Sequence, residues 1–77
     1  MNKARRNELT EVKNLIYDAY DKLESAKDDE EEYKDNIPEN LQGGERYEAA
    51  EEAVYLMEEC LDQLDRVIDS LSDIIDA

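Results

Sequence analysis

A regular spacing of apolar residues in the second half of the chain constrains the fold more than any other feature. Steps of three and four residues alternate over four heptads, in the series Tyr47, Ala50, Val54, Met57, Leu61, Leu64, Ile68, Leu71 and Ile75. This alternation keeps one side of an α-helix apolar and is typical of a coiled-coil seam, with Tyr47 at heptad position a. The g positions add a second apolar stripe of Ala53, Cys60, Val67 and Ile74. Because the resulting face is wider than a two-stranded coiled coil requires, the sequence predicts more than one neighbour for this helix.

The first half of the chain carries a similar seam. Its residues are Leu9, Val12, Ile16, Ala19, Leu23, Ala26, Glu30, Tyr33 and Ile37. This pattern predicts a first helix from about residue 3 to residue 35, with the seam facing the second helix and with Leu15 and Tyr20 flanking it. Glu30 interrupts the series, and we expect its side chain to be solvated because an unpaired buried carboxylate is unfavourable.

Residues 36–44 separate the two helical patterns and predict a turn. Pro38 lacks an amide hydrogen and disfavours helical backbone at the residue before it, and the two following glycines permit conformations that end a helix. We expect Ile37 and Leu41 to cap the end of the apolar core. Residues 38–41 are predicted to form a single helical turn.

Two helices of similar length joined by a short turn predict an antiparallel hairpin. The second helix is expected over about residues 45–76, so residues 1–77 form one all-α, coiled-coil-like domain on the order of 48 Å long. A lone hairpin would leave part of the wide apolar side in water. We therefore expect a homodimer that completes a four-helix bundle, with an interface that includes Ala53, Cys60, Val67 and Ile74.

The absence of histidine and the single cysteine, Cys60, narrow the possible functions. Histidine-based catalysis and the common zinc ligand sets are excluded, and no internal disulfide can form, which favours a reducing cytoplasm. The acidic residues 28–32 are consecutive, so on a helix their oxygens diverge and no metal site is predicted. No apolar stretch approaches the roughly 20 residues of a membrane span, and we expect no concave pocket on a rod. The sequence thus predicts no enzyme activity, no cofactor and no membrane association.

Charge is distributed unevenly along the predicted rod. Acidic residues outnumber basic residues 23 to 9, and the formal net charge is −14. The turn end, residues 27–52, carries a local charge of −8. At the other end, the basic start of helix 1 is expected beside the acidic end of helix 2, where the residues that could compensate each other are Lys3, Arg5, Arg6, Asp69, Asp73 and Asp76.

The outer face of helix 2 is the candidate partner-binding surface. It carries Glu48, Glu51, Glu52, Glu58, Glu59, Asp62, Asp65, Asp69, Asp73 and Asp76, interrupted only by Tyr55 and Arg66. The spacing is about one charge per 4 Å of helix, near the 3.4 Å phosphate rise of a DNA strand, which favours mimicry of nucleic-acid charge. The alternative is a solvated face that keeps the protein in solution. Tyr17 and Tyr55 should face away from the seam, either as interface anchors or as rings lying along neighbouring aliphatic stems.

The turn also carries a resemblance to known proteins. The segment Ile37-Pro38-Glu39-Asn40-Leu41-Gln42, followed by Glu45-Arg46-Tyr47-Glu48 and an Ala/Glu-rich helix, resembles small acidic proteins encoded by Firmicutes and their phages. In those proteins a Ser often stands at the position of Gly44. The resemblance covers about residues 30–60. It implies a helical hairpin and a bacterial or phage origin, and it implies no activity.

Two functions fit this shape and charge. The leading hypothesis is a phage-encoded inhibitor or adaptor, in the bacterial host cytoplasm, that presents its acidic surface to a basic nucleic-acid-binding protein such as a restriction or CRISPR effector. It should not bind nucleic acid directly, because two polyanions repel. The alternative is a structural or assembly protein whose apolar seam contacts the partner. Rising salt should weaken the first kind of binding and not the second.

Overall fold

Two long α-helices make up almost the whole of the computed structural model, which describes residues 1–77. Helix α1 spans Lys3–Asp35 and helix α2 spans Glu45–Asp76. Between them lies a short 3-10 helix, Glu39–Leu41, which confirms the predicted helical turn. The two helices pack against each other in antiparallel fashion over a molecule of 60 × 15 × 13 Å. The prediction of an all-helical hairpin is confirmed.

Side-chain and backbone hydrogen bonds set the helix ends. The Asn2 side chain accepts a hydrogen bond from the amide of Arg5 at 2.8 Å and caps the start of α1. In the turn, the amide of Leu41 donates to the carbonyl of Pro38 at 2.8 Å. Gly44 then opens α2 with an extended backbone, and a Cβ at this position would lie 3.3 Å from the carbonyl oxygen of Leu41. The absence of a side chain at Gly44 therefore serves close backbone approach.

Helix α2 faces α1 with the seam that its spacing predicts. Ala50, Val54, Leu61 and Ile68 are buried, and the other members of the seam are half-buried. Each large apolar side chain moved out of water stabilises the hairpin by about 1.5–3 kcal/mol at full burial. The periodicity of α2 therefore provides most of the core.

The seam predicted for α1 is wrong, because the helix is rotated about its own axis relative to the prediction. Val12, Ala19, Ala26 and Tyr33 are exposed, and their places against α2 are taken by the half-buried side chains of Lys13, Tyr20, Lys27 and Lys34. Leu9, Ile16 and Leu23 belong to both seams, so the helix differs from the prediction by a turn of about 50° around its own axis. Lysine and tyrosine can occupy such positions because their apolar stems pack while their polar ends reach water. Glu30 is half-buried at the end of this seam.

The two ends of the rod depart from the prediction in smaller ways. At the turn, Ile37 is buried as expected, but Leu41, the last residue of the 3-10 helix, is 56% exposed and does not cap the core. At the opposite end, a guanidinium nitrogen of Arg6 donates to the carbonyl of Ala77 at 2.9 Å. The expected ion pairs with the aspartates of α2 do not form there, since the only ion pairs join Lys27 to residues of its own helix.

Candidate protein-binding faces

The observed seams define two opposite faces of the hairpin. Heptad position a is occupied in α1 by Lys13, Tyr20, Lys27 and Lys34, and in α2 by Tyr47, Val54, Leu61, Ile68 and Ile75. An antiparallel pair is related by an approximate two-fold axis perpendicular to both helices, so the same flank of each helix lies on the same side of the rod. Positions e and b of both helices therefore form one face, and positions g and c form the other.

The e and b positions carry most of the charge, and we call this side the acidic face. It holds twelve carboxylates and a single basic residue, Lys3. All but one of the carboxylates are exposed, and Glu31 is half-buried. The twelve are Asp21, Glu24, Asp28, Glu31, Asp35, Glu48, Glu51, Glu58, Asp62, Asp65, Asp69 and Asp76.

Polar ends of the α1 seam point to this acidic face. The Nζ of Lys13 lies 3.4 Å from the hydroxyl of Ser72, which occupies an e position of α2. The Nζ of Lys27 lies 2.9 Å from a carboxylate oxygen of Asp28 and 3.5 Å from one of Glu31. Of these contacts only that of Lys13 joins the two helices, because Asp28 and Glu31 belong to the same helix as Lys27.

Two residues of the α1 seam, Tyr20 and Lys27, have shifted pKa values. The pKa of Tyr20 is raised, first by desolvation and then by the negative charges of Asp65, Glu24, Asp62 and Asp21, all on the acidic face. The pKa of Lys27 is raised chiefly by its hydrogen bond to Asp28, against an opposing effect of desolvation. Both shifts favour the protonated forms, as expected beside a concentration of negative charge.

The nine carboxylates predicted as partner-binding residues of α2, together with Tyr55, are distributed between the acidic face and the outer edge of α2. Glu48, Glu51, Glu58, Asp62, Asp65 and Asp69 lie on the acidic face, while Glu52, Glu59 and Asp73 lie on the outer edge of α2. Tyr55 is 59% exposed at a b position, and the carboxylate of Glu59 raises its pKa, mainly by hydrogen bonding. The structure thus places an exposed aromatic ring among the carboxylates.

Sequence reasoning missed the contribution of α1 to this face. Five acids of α1 align beside those of α2, namely Asp21, Glu24, Asp28, Glu31 and Asp35. The signal that could have revealed them is the series of position-a lysines, since amphipathic side chains at a seam indicate which flank faces the charged side. The missed residues double the row of charges near the turn.

The opposite side, the apolar face, is formed by the g and c positions of both helices. It exposes six large hydrophobic side chains, with Leu15 67% and Leu56 48% accessible. These six residues are accompanied by Cys60 and alanines, and they are Val12, Leu15, Tyr33, Leu56, Val67 and Ile74. The predicted interface residues Ala53, Cys60, Val67 and Ile74 all lie here. The charged residues on this face are Arg5, Glu8, Lys22, Asp29 and Arg46, with a formal sum of +1.

The concave features of the surface are small. Contrary to the expectation of a rod without concavities, two shallow depressions exist, one of about 350 Å³ at the turn beside Leu41 and Arg46, and one of about 190 Å³ between Glu59 and Arg66. No group of three histidine, cysteine or acidic side chains is arranged to hold a metal ion. Neither helix contains a stretch long and apolar enough to cross a bilayer.

Comparison with known proteins finds no relative of this chain. The chain matches no protein-family model, no curated protein and no solved structure.

Proposed function

We propose that this protein is a non-enzymatic binding module whose acidic face occupies the nucleic-acid groove of a basic protein. The observation that carries the proposal is the separation of charge between the two faces. Twelve carboxylates with one lysine lie on one side, while the other side is close to neutral. A protein that needs charge only for solubility would normally mix both signs over its surface.

The density of charge on the acidic face supports nucleic-acid mimicry. Near the turn, residues 21–35 of α1 lie beside residues 48–63 of α2. On the acidic face, these two segments together carry nine carboxylates. At 1.5 Å per residue this is about 21 Å of rod, or one charge per about 2.3 Å. The value falls between the 3.4 Å of a single DNA strand and the 1.7 Å of a duplex. Lys27 neutralises part of this charge through its two ion pairs.

The partner that fits this face is a nucleic-acid-binding protein with a groove lined by lysine and arginine. A phage-encoded inhibitor of a host restriction or CRISPR effector, acting in the bacterial cytoplasm, is the form of this function that we propose. Tyr55 lies at the centre of the dense region and would add an aromatic contact. Two hairpins joined through their apolar faces, as a homodimer with four helices, would present one acidic face on each side.

A competition assay tests the proposal. Purified Cas9–guide complexes and restriction endonucleases would be mixed with fluorescent target DNA, and displacement of the DNA by this protein would be followed as salt is raised. We expect displacement that weakens steeply with salt, because binding depends on exchanged counterions. The protein alone should not bind the DNA.

Matched triple variants separate position from total charge. Glu51, Glu58 and Asp62 changed to Lys would reverse three charges on the acidic face, and Glu11, Asp18 and Glu32 changed to Lys would reverse three exposed charges on the outer edge of α1, away from both faces. Both variants change the net charge equally. We expect the first to abolish displacement and the second to retain most of it, whereas any single charge removal should have a small effect. Equal behaviour of the two helical variants would contradict the proposal.

The second candidate function uses the apolar face to bind a different protein in an assembly. The six exposed hydrophobic side chains favour it, because single copies of a protein in solution rarely expose a long apolar strip. Binding of this kind would persist at high salt. It would also survive reversal of the three acidic-face charges.

A further inference from the structure

We infer that the apolar face is the interface between two copies of this chain, stacked with their turns at opposite ends so that the two Cys60 side chains meet at the two-fold axis. This inference rests on the homodimer of the proposed function and specifies its surface and orientation. The surface differs from the predicted one because α1 contributes half of it. Val12, Leu15, Ala19, Ala26 and Tyr33 join the stripe of α2.

Area and charge together favour a second copy on this face. A side of the rod measuring 60 × 15 Å offers about 900 Å² per copy, so two copies would bury about as much as the roughly 1,600 Å² of a standard protein interface. Each copy carries a formal charge of −14, which opposes association by most approaches. Contact through the apolar face is the approach that keeps both acidic faces in water and apart.

The charge of the turn decides the orientation. Two hairpins stacked face to face can place their turns together or at opposite ends. Residues 27–52 of each copy carry a local charge of −8. Because like charges repel and the repulsion falls with distance, the arrangement with the turns apart is favoured. It sets α1 against α1 of the second copy and α2 against α2 of the second copy.

This orientation places a small side chain at the centre of the interface. The middle of α2 lies at Cys60 and Leu61, near the middle of the apolar face. Cys60 occupies a g position and points out of the apolar face. With helix axes about 10 Å apart and Cα atoms about 2.3 Å from each axis, the two Cys60 Cα atoms would be about 5 Å apart, within disulfide range. With the turns together they would be on diagonal helices, at about 10 Å.

Sedimentation equilibrium of the full chain tests the surface. Leu56 and Tyr55 are neighbours on opposite faces, so Leu56→Lys and Tyr55→Lys introduce the same charge on either side of one helix. We expect wild type and Tyr55→Lys to be dimeric at high micromolar concentration and Leu56→Lys to be monomeric with its helical circular dichroism retained. A monomeric wild type, or a Leu56→Lys protein that still dimerises like wild type, would overturn the inference.

Oxidative cross-linking tests the orientation. With copper–phenanthroline and dissolved oxygen as the oxidant, two Cys60 thiols lose two protons and two electrons to oxygen as the S–S bond forms. We expect covalent dimers of the wild type to form at least about tenfold faster than those of a Cys60→Ala, Tyr55→Cys control, whose thiols lie on the acidic face. A dimer in which position 60 cross-links no faster than the control would refute the orientation while leaving binding by the acidic face to its own assay.

Discussion

At the scale of single residues, the seam of α1 shows how amphipathic side chains choose a direction. Lys13, Tyr20 and Lys27 all place their apolar stems against α2 and their polar ends on the acidic face. The aliphatic residues Leu9 and Ile16 lie on the side toward the apolar face. The position-a residues thus lie toward the acidic face, where their polar ends reach carboxylates and water, and the position-d residues lie toward the apolar face.

The first prediction concerns Tyr20 at alkaline pH. Its folded-state pKa is raised, so the folded protein holds this proton more tightly than the unfolded chain, whose tyrosines titrate near about 10. The contribution to stability is therefore complete below that value and is lost as pH rises through the folded-state pKa. Tyr20→Phe should make the alkaline fall in urea-unfolding stability shallower and remove one of the late components of the tyrosinate absorbance titration, since Tyr20 and Tyr55 both have raised pKa values. An unchanged titration curve, apart from a uniform loss of amplitude, would contradict this prediction.

At the scale of elements, the two helices contribute unequally to the core. Helix α1 has no fully buried residue, whereas α2 buries Ala50, Val54, Leu61 and Ile68. The stability of the hairpin therefore depends mainly on one seam of α2, and substitutions of the same chemistry should have different effects on its two stripes. The seam residues lose contacts with α1 when shortened, while the g residues lose contacts only in an assembly.

Two isoleucines of α2, Ile68 and Ile74, allow this difference between the stripes to be measured. Ile68 is 5% exposed in the seam, and Ile74 is 43% exposed on the apolar face. Ile68→Val should lower the free energy of unfolding by about 0.5–1.5 kcal/mol, whereas Ile74→Val at low protein concentration should cost clearly less. Because both changes lower helix propensity equally, urea unfolding followed by circular dichroism isolates the packing effect. Equal losses would mean that Ile74 is buried in the folded monomer.

At the scale of the whole molecule, the chain folds into a rod with one acidic and one apolar side. The distribution brings many like charges together, and only Lys27 forms ion pairs within 4 Å. Repulsion among the carboxylates opposes the folded state, and apolar burial in a small core must exceed it. Conditions that reduce the charge should then favour the folded hairpin.

Mild acid provides the test at this scale. As pH falls from about 7 to about 5, partial protonation of carboxylates should keep helicity constant or raise it, since net repulsion decreases. Circular dichroism and thermal melting over this range measure the effect. In high salt, where repulsion is already screened, the same pH change should have a smaller effect. Loss of helix signal on acidification at low salt would show that ion pairs outweigh repulsion.

Local patterns in the sequence were sufficient to predict α2, the turn and the acidic outer surface. The a and d positions of α2 are apolar over four heptads, and their spacing predicted the residues that α2 buries. Pro38 interrupts the helical pattern by its own covalent geometry. The excess of negative charge follows from composition. Each of these features depends on the residues themselves and on neighbours within a few positions along the chain.

The rotation of α1 and the composition of both faces were decided by the tertiary structure. Leu9, Ile16 and Leu23 fit two seams equally, so the periodicity of α1 leaves its direction open by about 50°. In the folded hairpin Lys13 reaches Ser72 of α2, and the Tyr20 ring lies near Asp62 and Asp65 of α2. As a result, Val12 and Leu15 face outward rather than into the core, and the acids of α1 lie beside those of α2. Which rotation packs depends on residues of the other helix, far apart in sequence, so the spacing of α1 alone does not decide it.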